Sequence, residues 1–212
     1  MLPSAMLRFG FEREAMIDAT LVNHLRANGV VAYPTSTLPG LACMPTKEAL
    51  DALYELKQRS AEKPVSLGVL SLDQATALVE VPEKIRQLEA AFVKGGFTFV
   101  LDAHAPLDSR LGGSRVAVRC LAHPTARALV ETIGPITATS ANESGEKPAS
   151  SSDEAGRVLG LPDHAILPGD CPGGKGSTFV NVVTTEHGVE VTVMREGVVP
   201  SASVVEWWKS HN

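Results

Sequence analysis

Cysteine is too scarce, and its count too odd, for a disulfide framework. Cys43, Cys120 and Cys171 are the only three, and their wide spacing fits neither paired bridges nor a zinc site. Free thiols in a reducing cytoplasm are therefore expected. No run of about 18 apolar residues occurs, so no membrane span is expected. Residues 1–10 lack a charged segment leading into a long apolar one, which argues against a secretory signal. Positive charge is not in excess either: 19 Lys and Arg stand against 24 Asp and Glu, a net −5. Any nucleic-acid contact must then come from a local basic patch. The six histidines show no metal-ligand spacing, and His-Glu-x-x-His and Gly-x-Ser-x-Gly are both missing. Zinc-peptidase and serine-hydrolase chemistries are thereby disfavoured.

What is present is ordinary globular composition. With 44% hydrophobic and 20% charged residues, the 212-residue chain can bury a normal core and is not a disordered one. Ile17, Leu21, Val22 and Leu25 recur at helical spacing, with Gly29 as the expected C-cap. Val30 to Tyr33 reads as a buried strand stopped by Pro34. Thr46 caps a helix carrying Leu50, Leu53 and Tyr54. Val65 to Leu70 reads as a strand, and Pro82 opens a helix with Ile85, Leu88 and Phe92. Phe97 to Leu101 is a further strand. Arg115 to Cys120 alternates, Val116 and Val118 on one face, Arg115 and Arg119 on the other. Pro124 opens a helix through Ile133, and Ile136 to Thr139 is a strand. Phe179 to Val183 and Val189 to Met194 form a late strand pair around His187-Gly188. Val204 to Trp208 falls in a short helix. Residues 144–153 read as a polar loop. Interleaved helices and strands, without repeat or long linker, predict one α/β domain over residues 1–212: a twisted, mixed, open sheet with helices packed on it.

Five constellations carry chemistry. Tyr33-Pro34-Thr35-Ser36-Thr37 ends a strand, where ligands bind in open α/β sheets; a capped turn explains it as well. Lys57, Arg59 and Lys63 follow a helix; they read either as a helix-dipole cluster or as a clamp for a polyanion. Thr137 to Asn142 runs from a strand into hydroxyl and amide groups suited to a polar head group, or to an Asn/Ser turn. Gly169, Gly174 and Lys175 mimic a phosphate loop, but Gly176 replaces the required Ser or Thr and a strand follows instead of a helix. A glycine-rich turn offering N–H groups to a phosphate remains open. Arg115 and Arg119 share one strand face, and Arg195 ends another strand; together they point to an anion site.

In order and rough spacing, the stretches YPTSTLPGLAC (33–43), LYELKQRSAEKPVSL (53–67), GGFTFVL (95–101), RVAVRC (115–120), PITATSANESGEKP (135–148), STFVNV (177–182) and REG (195–197) resemble the YrdC/TsaC family. The resemblance covers nearly the whole chain, and the end soon after Arg195 matches the family's short form. It implies a YrdC-like fold with a large concave cavity. It also implies a nucleotidyltransferase activity, in which L-threonine, bicarbonate and MgATP give threonylcarbamoyl-adenylate and pyrophosphate. The product would pass to a threonylcarbamoyl transferase complex for tRNA modification, and weak binding of tRNA or double-stranded RNA is implied as well.

Residue by residue, the resemblance puts Thr35, Arg119, Ser140 and Ser177 on the threonine and carbamate side. It puts Lys57, Arg59, Lys63, Asn142, Ser150 and Arg195 on ATP, with Lys57 and Arg59 catalytic and no protein-held metal. Four departures from the family pattern stand out: Ser36 in place of an acid, Gly95-Gly96 in place of a proline motif, Arg115 in place of a small hydroxyl residue, and Asn181 in place of an aspartate. They keep two other readings open. One is a paralogue binding RNA or nucleotide without adenylate synthesis; the other is a carbamoyl-phosphate-using module.

Overall fold

The computed structural model describes residues 17–211; the reading of residues 1–10 lies outside them. In chain order the elements are α1 (Ala19–Arg26), β1 (Val31–Tyr33), β2 (Gly40–Ala42), α2 (Lys47–Leu56), β3 (Ser66–Val69), α3 (Leu72–Ala75), α4 (Glu83–Ala90), β4 (Phe97–Asp102), β5 (Arg115–Cys120), α5 (Pro124–Ile133), β6 (Ile136–Ser140), α6 (Ser152–Val158), β7 (Thr178–Thr185), β8 (Gly188–Arg195) and α7 (Ser201–Ser210). The eight strands form one twisted open sheet in the order β1-β2-β6-β3-β5-β4-β7-β8. Only β3–β5 and β4–β7 are parallel pairs, so the sheet is mixed, as expected.

The two-residue period of the strands decides where the site lies. Leu67, Val69, Phe97, Phe99, Leu101, Val116, Val118, Val180 and Val182 all belong to one large core with residues of α2, α3, α4 and α7. The opposite face is covered at one end only, where Leu21 and Leu25 of α1 and Ala126, Leu129 and Val130 of α5 pack with Tyr33, Ala42 and Ile136. The rest of that face carries Ser66, Thr98, Arg115, Arg119, Phe179 and Asn181, the alternate positions of β3, β4, β5 and β7.

Helix ends differ from expectation in an instructive way. At α1 the left-handed residue is Asn28 (φ 66°), not Gly29. Asn28 N–H bonds the Leu25 carbonyl and Gly29 N–H the His24 carbonyl, a Schellman closure. Gly29 is small for another reason: a Cβ there would lie 2.2 Å from the His24 ring. α2 closes the same way through Gln58 (φ 47°), with Arg59 N–H on the Tyr54 carbonyl. This closure sends the side chains on either side of Gln58 to different destinations, Lys57 into the interior and Arg59 to the surface. Strand β2 and helix α6 were not expected. Three residues starting at Gly40 are too short for a period, and α6 begins inside the segment read as loop, capped by Ser151. Phe92 lies just beyond α4, edge-on to Phe97 at 5.4 Å.

Arg110 fastens the start of β3. Its guanidinium bonds Asp108 at 2.7 and 3.0 Å and also reaches Asp51, while its carbonyl accepts from Val65 N–H and the Tyr54 hydroxyl. Those bonds hold the Asp108 carboxyl down at about 2, below its ordinary 3.8. A carboxyl depressed by folding stabilises the protein above the unfolded-state value and loses that contribution as pH falls through the folded one. Asp108→Asn should therefore cost about 1 kcal/mol at pH 7. The gap from the parent should close as pH falls from about 4 to about 2. Chemical denaturation of both proteins across that range measures it; a gap independent of pH would show that the charge is not what counts.

Candidate active site

A cavity of about 340 Å³ opens on the uncovered half of the second sheet face. Its lining brings together Thr35, Arg59, Arg119, Ser140, Ser177 and Arg195. These six expected site residues span sequence positions 35 to 195, and Arg59 and Arg195 face the same space.

Arg119 projects from β5 onto the floor. It donates to the Gly95 carbonyl through Nε (3.2 Å) and Nη2 (3.1 Å), to Thr37 Oγ1 at 2.8 Å, and more distantly to Ser36 Oγ at 3.5 Å. It has no carboxylate partner among the described residues, and burial lowers its proton affinity, with Arg195 adding to the effect. Thr35 is partly committed to its turn: its hydroxyl donates to the Leu38 carbonyl (2.7 Å) and accepts from Thr37 N–H (3.1 Å). Ser177 Oγ pairs with Thr98 Oγ1 at 2.7 Å. Arg195 lies 4.3 Å over the Phe179 ring and donates to the Ser177 carbonyl at 3.2 Å. Arg59 donates to the carbonyls of Lys63 (2.6 Å) and Pro64 (3.0 Å), which anchors it at the rim with part of its fork free.

Four expected site residues do not line the cavity. Lys57 is 1% exposed, and its Nζ donates at 2.5 Å to the carbonyls of Ser140 and Asn142. Burial, with Arg59 nearby, brings its ammonium down to about 8. Lys57 thus holds the end of β6 from behind. The Lys63 side chain is exposed, while its carbonyl serves Arg59 and Tyr54. Asn142 donates to the Glu143 and Glu146 carbonyls, leaving its buried Oδ1 without a partner. Ser150 is exposed and donates to Glu154 at 2.9 Å.

The cavity also recruits residues outside the expected set: Tyr33, Thr37, Ser66, Thr98, Lys175, Phe179 and Glu196. Ser66 was legible in principle, as a polar position alternating with buried Leu67. Lys175 sits on the glycine-rich turn, where Gly173 and Gly174 have φ of 74° and 76°, and it pairs with Glu196 at 2.8 Å. Lys175 and the N–H of Ser201 hold the Glu196 carboxyl at about 2.

The four departures from the family pattern form two contacting pairs. Arg115 Nη2 bonds Asn181 Oδ1 at 2.6 Å, and its Nη1 bonds Asp102 at 2.7 Å. Gly95 faces Ser36, whose Oγ would lie 2.5 Å from a Cβ there, and both touch Arg119. Arg115 is therefore a cross-strand tie, not part of the anion site. Among the described residues, no cluster of three His, Cys, Asp or Glu side chains could hold a metal ion.

An open α/β sheet whose bare face carries a pocket of guanidinium, ammonium and hydroxyl groups defines an α/β domain whose site has the chemistry to receive a small anionic ligand. This chain belongs to the Sua5/YciO/YrdC family, whose model, described as "Telomere recombination", matches residues 23–197. It is 36% identical over 168 residues to a threonylcarbamoyl-AMP synthase of Marinobacter nauticus, covering 76% of this chain and 88% of the relative. A threonylcarbamoyl-AMP synthase of Haemophilus influenzae is 37% identical, with coverages of 67% and 79%. Among solved structures, P. abyssi Sua5 complexed with L-threonine superposes with a TM-score of 0.75 at 27% identity. That match covers 88% of this chain and 56% of the P. abyssi chain.

Proposed function

We propose that this protein is an L-threonylcarbamoyladenylate synthase, a transferase of the nucleotidyl class. The observation that carries the reading is the convergence of Arg59, Arg119, Lys175 and Arg195 on one hydroxyl-lined cavity where Glu196 is the sole carboxylate among the described residues. Such a site suits a polyanion beside a small polar molecule. The threonine amine attacks carbon dioxide derived from bicarbonate and loses a proton, giving a carbamate. A carbamate oxygen then attacks the α-phosphorus of ATP, and the bond to the β-phosphate oxygen breaks to release pyrophosphate. No protein nucleophile is required. The side chains contribute positioning and charge neutralisation. Mg²⁺ enters with ATP, its ligands supplied by phosphate oxygens and water. The product is then handed to the transferase machinery that modifies tRNA.

Binding of RNA by this chain itself draws less support. Of Lys57, Arg59, Lys63, Arg115 and Arg119, the basic residues that could make a local patch, Lys57 is buried, Arg115 is tied to Asp102 and Arg119 lies on the cavity floor, which leaves Arg59 and Lys63.

The test is pyrophosphate release from MgATP and bicarbonate with and without L-threonine. Threonine-dependent release is expected, and release indifferent to threonine would overturn the reading. Arg59→Ala should weaken productive ATP use about tenfold to a hundredfold, the worth of one or so charge-assisted hydrogen bonds. Arg59→Lys should also be impaired, because an ammonium cannot hold the Lys63 and Pro64 carbonyls while forking to a phosphate. Unchanged KM for ATP in both variants would remove Arg59 from the clamp.

A further inference from the structure

Tyr33 ends β1 and is 1% exposed, packed among the residues beneath α1 and α5. Its hydroxyl has no protein hydrogen-bond partner among the described residues, and it is not enclosed: Asn142 Oδ1 alone is both buried and unpaired there, so the Tyr33 hydroxyl opens on the cavity. The other tyrosine, Tyr54, shows the ordinary outcome: its hydroxyl is 2.9 Å from the carbonyls of both Lys63 and Arg110.

The placement of the ring explains the missing partner. Tyr33 is in register with Gly40, and Gly40 with Ser140, so the three form one row across β1, β2 and β6. A Cβ at Gly40 would lie 2.8 Å from Tyr33 Cε1 and Cζ. The hydroxyl-bearing end of the ring thus lies against the one residue of β2 that has no side chain. Both Tyr33 and Gly40 line the cavity. Burial raises the phenol to about 12, so it stays protonated and able to donate, and Arg119 is close enough to oppose that rise by its charge.

We propose that the Tyr33 hydroxyl is a ligand-binding group: it donates a hydrogen bond to the carboxylate of the amino-acid substrate that Arg119 faces. The Tyr33 hydroxyl and the Arg119 guanidinium are two donors lining one cavity, and a ligand carboxylate supplies an acceptor for both. The assignment rests on the synthase reading for the identity of the amino acid, and Tyr33 acts as a substrate-binding and orienting residue within it.

The experiment is calorimetric titration of L-threonine into the full chain and into Tyr33→Phe, with thermal unfolding of both. Because the chain has only two tyrosines, ¹³Cζ-tyrosine labelling supplies a second readout in the unmutated protein. Threonine affinity should fall about tenfold to a hundredfold in Tyr33→Phe, the range for a hydrogen bond to a charged group. The unliganded melting temperature should hold or rise, since an unpartnered hydroxyl has been removed. Threonine should move the Tyr33 resonance and leave that of Tyr54 nearly in place. Equal affinities, an unmoved Tyr33 resonance, a lower melting temperature at unchanged affinity, or an unmutated protein that binds no threonine would each overturn the assignment. Weakened binding in Tyr33→Phe, together with no pyrophosphate release by the parent, would sink the synthase reading and leave Tyr33 as a carboxylate-binding residue.

Discussion

L-Valine is expected to support pyrophosphate release roughly 10⁴-fold less efficiently than L-threonine, the discrimination reached by sites built to hydrogen-bond a hydroxyl. Valine is nearly isosteric with threonine, so shape alone cannot reject it. The groups that can are Ser66 and Ser140, which line the cavity with hydroxyls that make no hydrogen bond within the described residues. Thr35 and Ser177 are less available, being engaged with Leu38 and Thr98. A methyl group in place of the substrate hydroxyl would displace water from these groups and return nothing, leaving polar atoms unpaired. L-Serine keeps the hydroxyl and loses a methyl group, worth only about 1–3 kcal/mol, and should be a weak substrate. Initial rates with the three amino acids at equal MgATP and bicarbonate decide the matter. If valine matches threonine, the hydroxyl-reading pocket is wrong.

Arg119→Met should lower threonine-dependent turnover at least about a hundredfold, as two charge-assisted contacts to a carboxylate are lost together. Its effect on stability should be small, because two terms oppose. The substitution orphans the Gly95 carbonyl and leaves Thr37 Oγ1 only its longer contact with Thr35 Oγ1, which costs stability. It also removes a half-buried cation that lacks a carboxylate partner, which relieves desolvation. Threonine should raise the melting temperature of the parent and leave the variant unmoved, since a ligand stabilises only the state it binds. Full activity in Arg119→Met, or a collapse of the fold without ligand, would show that Arg119 is a structural tie like Arg115.

Much of the fold was legible because its signals are local. Thr46 caps α2 through Ala49 N–H, Pro124 opens α5, and β5 has the expected bounds with the expected burial alternation. The misses share a cause in tertiary packing. Gly29 reads as a C-cap, yet its smallness serves the His24 ring, while Asn28 takes the left-handed backbone. Gly40 opens a strand too short to show a period, and its lack of a side chain makes room for Tyr33. The site divides in the same way. A lysine after a helix reads as an available cation, and nothing local reveals that Lys57 turns inward to the carbonyls of Ser140 and Asn142, more than eighty residues on.

The sequence by itself determined the element types, the polar and apolar faces of each strand, and the ordered motifs that mark the family. Each depends on a residue and its near neighbours through period, cap and turn chemistry. Only the tertiary structure decided which cations share a cavity. The crossover order of the sheet brings Arg119 of β5 and Ser66 of the neighbouring β3 into one cavity and adds Arg195 through β7 and β8, while Arg115, four residues from Arg119 on the same strand face, is drawn off by Asp102 and Asn181. Strand pairing is a long-range choice, and the partners a guanidinium finds depend on which strands lie alongside.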